Sequence, residues 1–128
     1  MSGSLISVEN TGVIVVDVQA DFTELKSGSL AVPGSGAQYI SAVQRSTRQF
    51  LQQGLRLYLT QDWHPADHIS FFTNNPGTEP LQVKEINGRP QVMWPPHCVQ
   101  DTPGAMMLIT ADGPVRTVRK GMDPHFDS

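Results

Sequence analysis

Residues Val13-Ile14-Val15-Val16 form an unbroken β-branched run that stops at Asp17. β-Branched side chains are stiff about χ1 and suit a pleated strand. With no polar residue alternating, the run has the pattern of a strand covered on both faces of a parallel sheet, so it is expected to be the first central strand. Between positions 37 and 53, Ile40, Val43, Phe50 and Leu51 recur at helical spacing among Gln, Arg and Ser, and Gly54 follows as a stop. That spacing predicts an amphipathic helix lying on a sheet. Leu55-Arg56-Leu57-Tyr58-Leu59-Thr60 then reads as a second strand. Strand, helix, strand in this order requires a right-handed crossover, and the two strands become parallel neighbours in an α/β fold.

Residues 63–113 are rich in Pro, Gly, Asn and His and show little periodicity, which in a compact domain marks functional loops. A short helix is expected over 102–109. Residues 115–119 alternate enough for a third strand, ending at Lys120-Gly121. Asp17, Asp62 and Lys120 thus each fall at the C-terminal end of a predicted strand, the edge where open parallel sheets bind ligands. Any one of them is ordinary strand-end punctuation; three converging on one edge point to a site.

The length, 128 residues, suits one domain with its own core. A net charge of −3 without a basic cluster argues against a nucleic-acid partner. No stretch approaches the ~20 apolar residues of a membrane span, and no Lys or Arg precedes an apolar run near the start. The single cysteine, Cys98, cannot form an internal disulfide and fits a reducing compartment, so a cytoplasmic location is expected.

Asp62-Trp63-His64 places a carboxylate and an imidazole two residues apart just past a strand, where an extended chain points both the same way. Both can reach one ion. A borderline-soft divalent metal accepts imidazole nitrogen together with carboxylate oxygen, and a third ligand is expected from elsewhere in the chain. His68 and His97 are the candidates. His97 lies in Trp94-Pro95-Pro96-His97-Cys98, where two prolines stiffen the loop that carries it.

Val16-Asp17-Val18-Gln19-Ala20-Asp21-Phe22, Gln61-Asp62-Trp63-His64-Pro65, Trp94-Pro95-Pro96-His97-Cys98 and Lys120-Gly121 resemble, in order and spacing, the motifs of the nicotinamidase/pyrazinamidase family in the isochorismatase-like cysteine hydrolase superfamily. The resemblance spans nearly the whole chain. It implies a three-layer, Rossmann-like parallel-sheet domain of which residues 1–128 are the N-terminal portion. It implies that Asp62, His64 and His97 hold one divalent metal, zinc first, with iron and manganese as alternatives, and that the metal holds a pyridine nitrogen. Phe22 and Trp94 match positions flanking the substrate ring, though ordinary core packing would also explain an aromatic at 22. Asp17 and Lys120 match two members of an Asp-Lys-Cys triad, in which the carboxylate takes the thiol proton and the ammonium stabilises the thiolate. Without the resemblance they read equally well as a structural ion pair.

The implied reaction is hydrolysis of nicotinamide, or a pyrazinamide-like amide, to the acid and ammonia through a cysteine thioester. Homo-oligomers are common in the family. The third triad member is expected beyond Lys120-Gly121 and past the last residue, Ser128, because Cys98 matches a different, non-nucleophilic cysteine. The 128-residue chain is therefore expected to lack amidase turnover, and one face or edge of its sheet to lack cover. Two alternatives stand beside this reading: another isochorismatase-like hydrolase acting on a different small amide or on isochorismate, and a catalytically inactive binding or assembly module.

Overall fold

A computed structural model describes residues 7–127. Strand β1 (Gly12–Val16) leads through a loop with two short 3-10 turns into helix α1 (Ala37–Gln52), which returns the chain to β2 (Arg56–Asp62). A hairpin of β3 (Val83–Ile86) and β4 (Arg89–Val92) interrupts the long loop region before β5 (Val115–Lys120) completes the sheet. The main sheet has the order β1-β2-β5, all parallel, with Val16 beside Thr60 and Asp62 beside Lys120. β2 is therefore the central strand, and the α/β crossover expected from the sequence is present.

Helix α1 covers one sheet face. Ile40 and Val43 pack with Val15, Val18, Leu59, Ile109 and Val115 to form the core. Leu57 and Leu59 point the same way and are buried. The register puts Ile14, Val16, Tyr58 and Val118 on the opposite face. There Ile14 is 64% exposed, Val16 63% and Val118 43%. This corrects the expectation that the β-branched run is central and covered on both faces: among the described residues β1 is an edge strand with one face open.

Two local expectations also change. In place of a helix over 102–109 there is one 3-10 turn, Pro103–Ala105, after which Met106 is extended. Residues 106–108 run alongside 18–20 instead, with Leu108 N–H donating to Val18 O and Ala20 N–H to Met106 O. The β3–β4 hairpin was not expected, because its strands are short, mostly exposed and lack regular apolar alternation. Its signal is Asn87-Gly88, both with positive φ, the backbone of a type I′ turn whose twist suits a two-residue hairpin. No helix among the described residues is long and apolar enough to cross a membrane.

Candidate functional site

Asp62 ends β2, and the parallel register sets it beside Lys120 at the end of β5. The Lys120 ammonium reaches Asp62 Oδ1 at 2.5 Å and Asp17 Oδ2 at 2.9 Å, so one cation ties three strand ends together. Asp17 follows β1 with φ 49°, in the left-handed region that non-glycine residues seldom adopt. Thr60 holds it there: the Asp17 N–H donates to Thr60 O and Oγ1, and the Thr60 hydroxyl donates to Asp17 Oδ1 at 2.6 Å.

Beyond Asp62 the strand pairing continues, with Trp63 N–H donating to Lys120 O, while the Arg119 guanidinium stacks 3.9 Å from the Trp63 ring centre. His64 is buried, and its Nδ1 lies 2.8 Å from Gly121 O. A carbonyl oxygen only accepts, so Nδ1 carries a proton and donates. The same holds for His97, whose Nδ1 lies 2.8 Å from Pro95 O. In the neutral rings this leaves each Nε2 with its lone pair, the tautomer that metal-binding histidines adopt when a carbonyl holds the other nitrogen.

His64 Nε2 is buried without a hydrogen-bond partner among the described residues and lies 3.4 Å from Asp62 Oδ2. A buried imidazole nitrogen facing a carboxylate oxygen is satisfied by a cation between them, either a proton on Nε2 or a metal ion. One potential ligand atom from each of Asp62, His64 and His97 lies within 4.8 Å of the others, and all three residues are buried. This donor set, two imidazoles and a carboxylate, fits a divalent transition metal.

Burial alone would raise the Asp62 carboxyl, but His64 and the Lys120 ammonium outweigh it and hold it at about 2, so Asp62 is ionised at neutral pH. Burial lowers His97, which keeps that ring neutral. For His64 burial pulls down, but the contacts with Asp62 and Gly121 prevail and the shift is upward, toward an imidazolium that donates from Nε2 to Asp62; a metal ion on Nε2 would take the place of that proton.

His68, the other candidate third ligand, is outside the cluster. Its Nδ1 lies 2.8 Å from Ser70 Oγ and its Nε2 2.9 Å from Phe126 O, so both nitrogens are engaged. It packs against His64 with ring centres 4.6 Å apart, and Phe71, fully buried, completes the aromatic wall behind His64 and His97. Phe22 stands 5.6 Å from the His97 ring and lines a cavity of about 250 Å³ with Val16, Asp17, Val32, Pro33 and Tyr39. Trp94 is not among the residues lining that cavity; its indole N–H donates to Asp127 Oδ2 at 3.2 Å. Cys98 is fully buried, and burial followed by the nearby Asp21, Asp62 and Asp17 carboxylates pushes its thiol far above the ordinary range, which disfavours the thiolate that a nucleophile needs.

Gln19 plays a part that the sequence reading assigned to no residue. Fully buried, it donates from Nε2 to Asp62 O and Ala105 O and accepts the Asp62 N–H at Oε1, gripping the peptide units on both sides of Asp62. Thr60 and the Gly121 and Pro95 carbonyls are likewise new. A sequence signal existed for Gln19: polar residues at alternate positions 17, 19 and 21 in an otherwise apolar segment.

Fold and site together define a parallel α/β domain with a candidate three-ligand metal centre on the C-terminal edge of its sheet. No family model matches the chain. It is 40% identical over 121 residues to a nicotinamidase of Acinetobacter baylyi, covering 93% of this chain and 53% of that one. Among solved structures it superposes on an Acinetobacter baumanii nicotinamidase/pyrazinamidase with a TM-score of 0.75 and 37% identity, over 90% of this chain and 53% of that one. A Pyrococcus horikoshii pyrazinamidase in complex with zinc gives 0.70 and 33%, over 90% and 54%. The chain is thus similar to these nicotinamidases and pyrazinamidase in sequence and in the parallel α/β fold of the part it covers, and it spans about half the length of the curated relatives it matches.

Proposed function

We propose that residues 1–128 constitute the metal-holding and acid–base portion of an isochorismatase-like amide hydrolase whose reaction is nicotinamide plus water to nicotinate plus ammonia. The observation that carries this reading is the unpartnered, buried His64 Nε2 facing Asp62 and His97, set directly beside the Asp17–Lys120 pair. Asp62, His64 and His97 are the metal ligands. Zinc is the preferred ion, supported by the zinc-bound pyrazinamidase among the structural neighbours. When bound, the metal supplies a Lewis-acid anchor for a pyridine-type nitrogen and so orients the carboxamide.

Apart from the nucleophilic thiol, the remaining roles fall to the chain's own residues. Asp17 faces the Phe22-lined cavity and accepts a proton from an attacking thiol. Lys120, shared between Asp17 and Asp62, stabilises the resulting thiolate. Phe22 stacks on the substrate ring, and Trp94 is assigned to its other side. The thiolate adds to the amide carbonyl, ammonia leaves with a proton returned from Asp17, and water then cleaves the thioester. Cys98 does not supply that thiol. The substrate is a small amide of the nicotinamide or pyrazinamide type. A cytoplasmic setting and a homo-oligomeric assembly complete the proposal.

Calorimetric titration of nicotinamide into the purified chain, with and without added zinc, tests the site. Binding is expected only with zinc present and is expected to vanish in Asp62→Ala. Equal heats with and without zinc would overturn the anchoring role. An ammonia-release assay on the same chain is expected to show no turnover; activity resembling that of an intact enzyme would contradict the exclusion of Cys98.

A further inference from the structure

The nicotinamidase-type reading leaves Asp21 without a task, although its surroundings are among the tightest in the molecule. Its carboxylate Oδ2 accepts the Cys98 N–H at 2.8 Å. Cys98 immediately follows the ligand His97 and has φ 46°, a left-handed conformation that costs a non-glycine residue energy and must be held by its neighbours. On the other side of the same residue, Cys98 O accepts the His64 N–H at 3.0 Å, and Gln100 N–H returns to His64 O at 2.8 Å. The Cys98 residue is thus the splice between the two histidine segments, and Asp21 is the charged group that fixes it.

Two glycines show how closely the chain is built around Asp21. A Cβ placed on Gly104 would lie 2.0 Å from Asp21 Oδ2, and one on Gly28 would lie 2.1 Å from Asp21 O. Neither glycine has a positive φ, so steric room for Asp21, not backbone freedom, is what each supplies. The Asp21 main chain is pinned too, its carbonyl accepting the Leu30 N–H at 3.0 Å.

We propose that Asp21 is a positioning residue for the metal centre: through its charged hydrogen bond to Cys98 N–H it sets the separation and orientation of the His97 and His64 imidazoles. It touches neither the ion nor the substrate. Together with Gln19, which grips the Asp62 backbone, it makes the segment after β1 a scaffold whose alternate residues 17, 19 and 21 each reach a different part of the site.

This inference rests on the metal reading, and the test separates the two. Zinc affinity of the purified chain is measured by competition with a chromophoric chelator, and the ligand field by the visible absorption of the cobalt-substituted chain. For Asp21→Ala, zinc affinity is expected to fall about 10–100-fold, with a changed cobalt spectrum. Asp21→Asn keeps an oxygen acceptor and is expected to recover much of that loss, which guards against misreading an unfolded alanine variant. Gly104→Ala, which displaces the carboxylate without removing it, is expected to weaken zinc similarly. In the Asp21→Ala background the same glycine change is expected to add little, because the atoms it collides with are gone.

A wild-type chain that binds no zinc or cobalt refutes the metal reading itself. A wild-type chain that binds zinc while Gly104→Ala, and Asp21→Ala where it folds, keep its affinity and cobalt spectrum refutes the role of Asp21 alone. So does full additivity of Asp21→Ala and Gly104→Ala.

Discussion

Polar groups are buried at the C-terminal edge of the sheet, while apolar groups are exposed across its outer face. At the edge, Gln19, Asp62, His64 and His97 are nearly inaccessible, yet the Gln19 amide, the Asp62 carboxylate and the Nδ1 atoms of both histidines have partners inside residues 17–127, while His64 Nε2 has no hydrogen-bond partner among the described residues. Across the outer face, Ile14, Val16 and Val118 meet solvent. The difference teaches that hydropathy alone locates neither region. Burial of the edge is sustained by directional bonds, each available within this stretch of chain; the apolar outer face has no such internal partner among the described residues. The edge should therefore be costly to alter, and the outer face tolerant.

The sharpest contrast is between Gln19 and Val16, two residues of one segment. Gln19→Leu removes three hydrogen bonds from a buried site, so it is expected to destabilise the chain by roughly 3 kcal/mol, read from urea unfolding. A loss below about 1 kcal/mol would mean the edge is held by packing. Next in size is Thr60→Val, which deletes the hydroxyl that donates to Asp17 Oδ1; a cost of about 1.5 kcal/mol is expected by the same measurement, hydrogen bonds to charged groups being worth more than neutral ones. A cost indistinguishable from zero would show that the left-handed Asp17 needs no support. The smallest effect belongs to the open face, where Val16→Ser should stay within about 0.5 kcal/mol of the parent. A loss of 2 kcal/mol or more there would show that this face is covered in solution, and the comparison would fail.

Much of the fold was legible. The β-branched run, the helical periodicity over 37–53 and the strand after it yielded the parallel crossover, since periodicities of 2 and 3.6 are written directly in the side chains. What covers a strand is not. Val13–Val16 would read the same in the middle of a sheet or at its edge, and the edge position emerged only from the register. The 3-10 turn at Pro103–Ala105 escaped because residues 106–108 pair with distant 18–20, a non-local preference with no local mark. The hairpin was missed although Asn87-Gly88 advertised it.

For the site, Asp62, His64 and His97 stood out as candidates because ligand chemistry restricts residue type, and the structure gathers all three into one buried cluster that could hold a metal. Choosing His97 over His68 required the resemblance in sequence and the hydrogen bonds of both His68 nitrogens in space. The supports, Gln19, Thr60 and Asp21, act through backbone atoms of remote residues, and only folding brings such partners together.

Zinc stoichiometry of the purified chain tests the central claim most directly. Equilibrium dialysis with elemental quantification should give one zinc per chain for the parent and for Val16→Ser, and essentially none for His64→Ala or Asp62→Ala. Zinc absent from the parent, or retained at full occupancy by both ligand variants, would contradict a metal centre built from Asp62, His64 and His97.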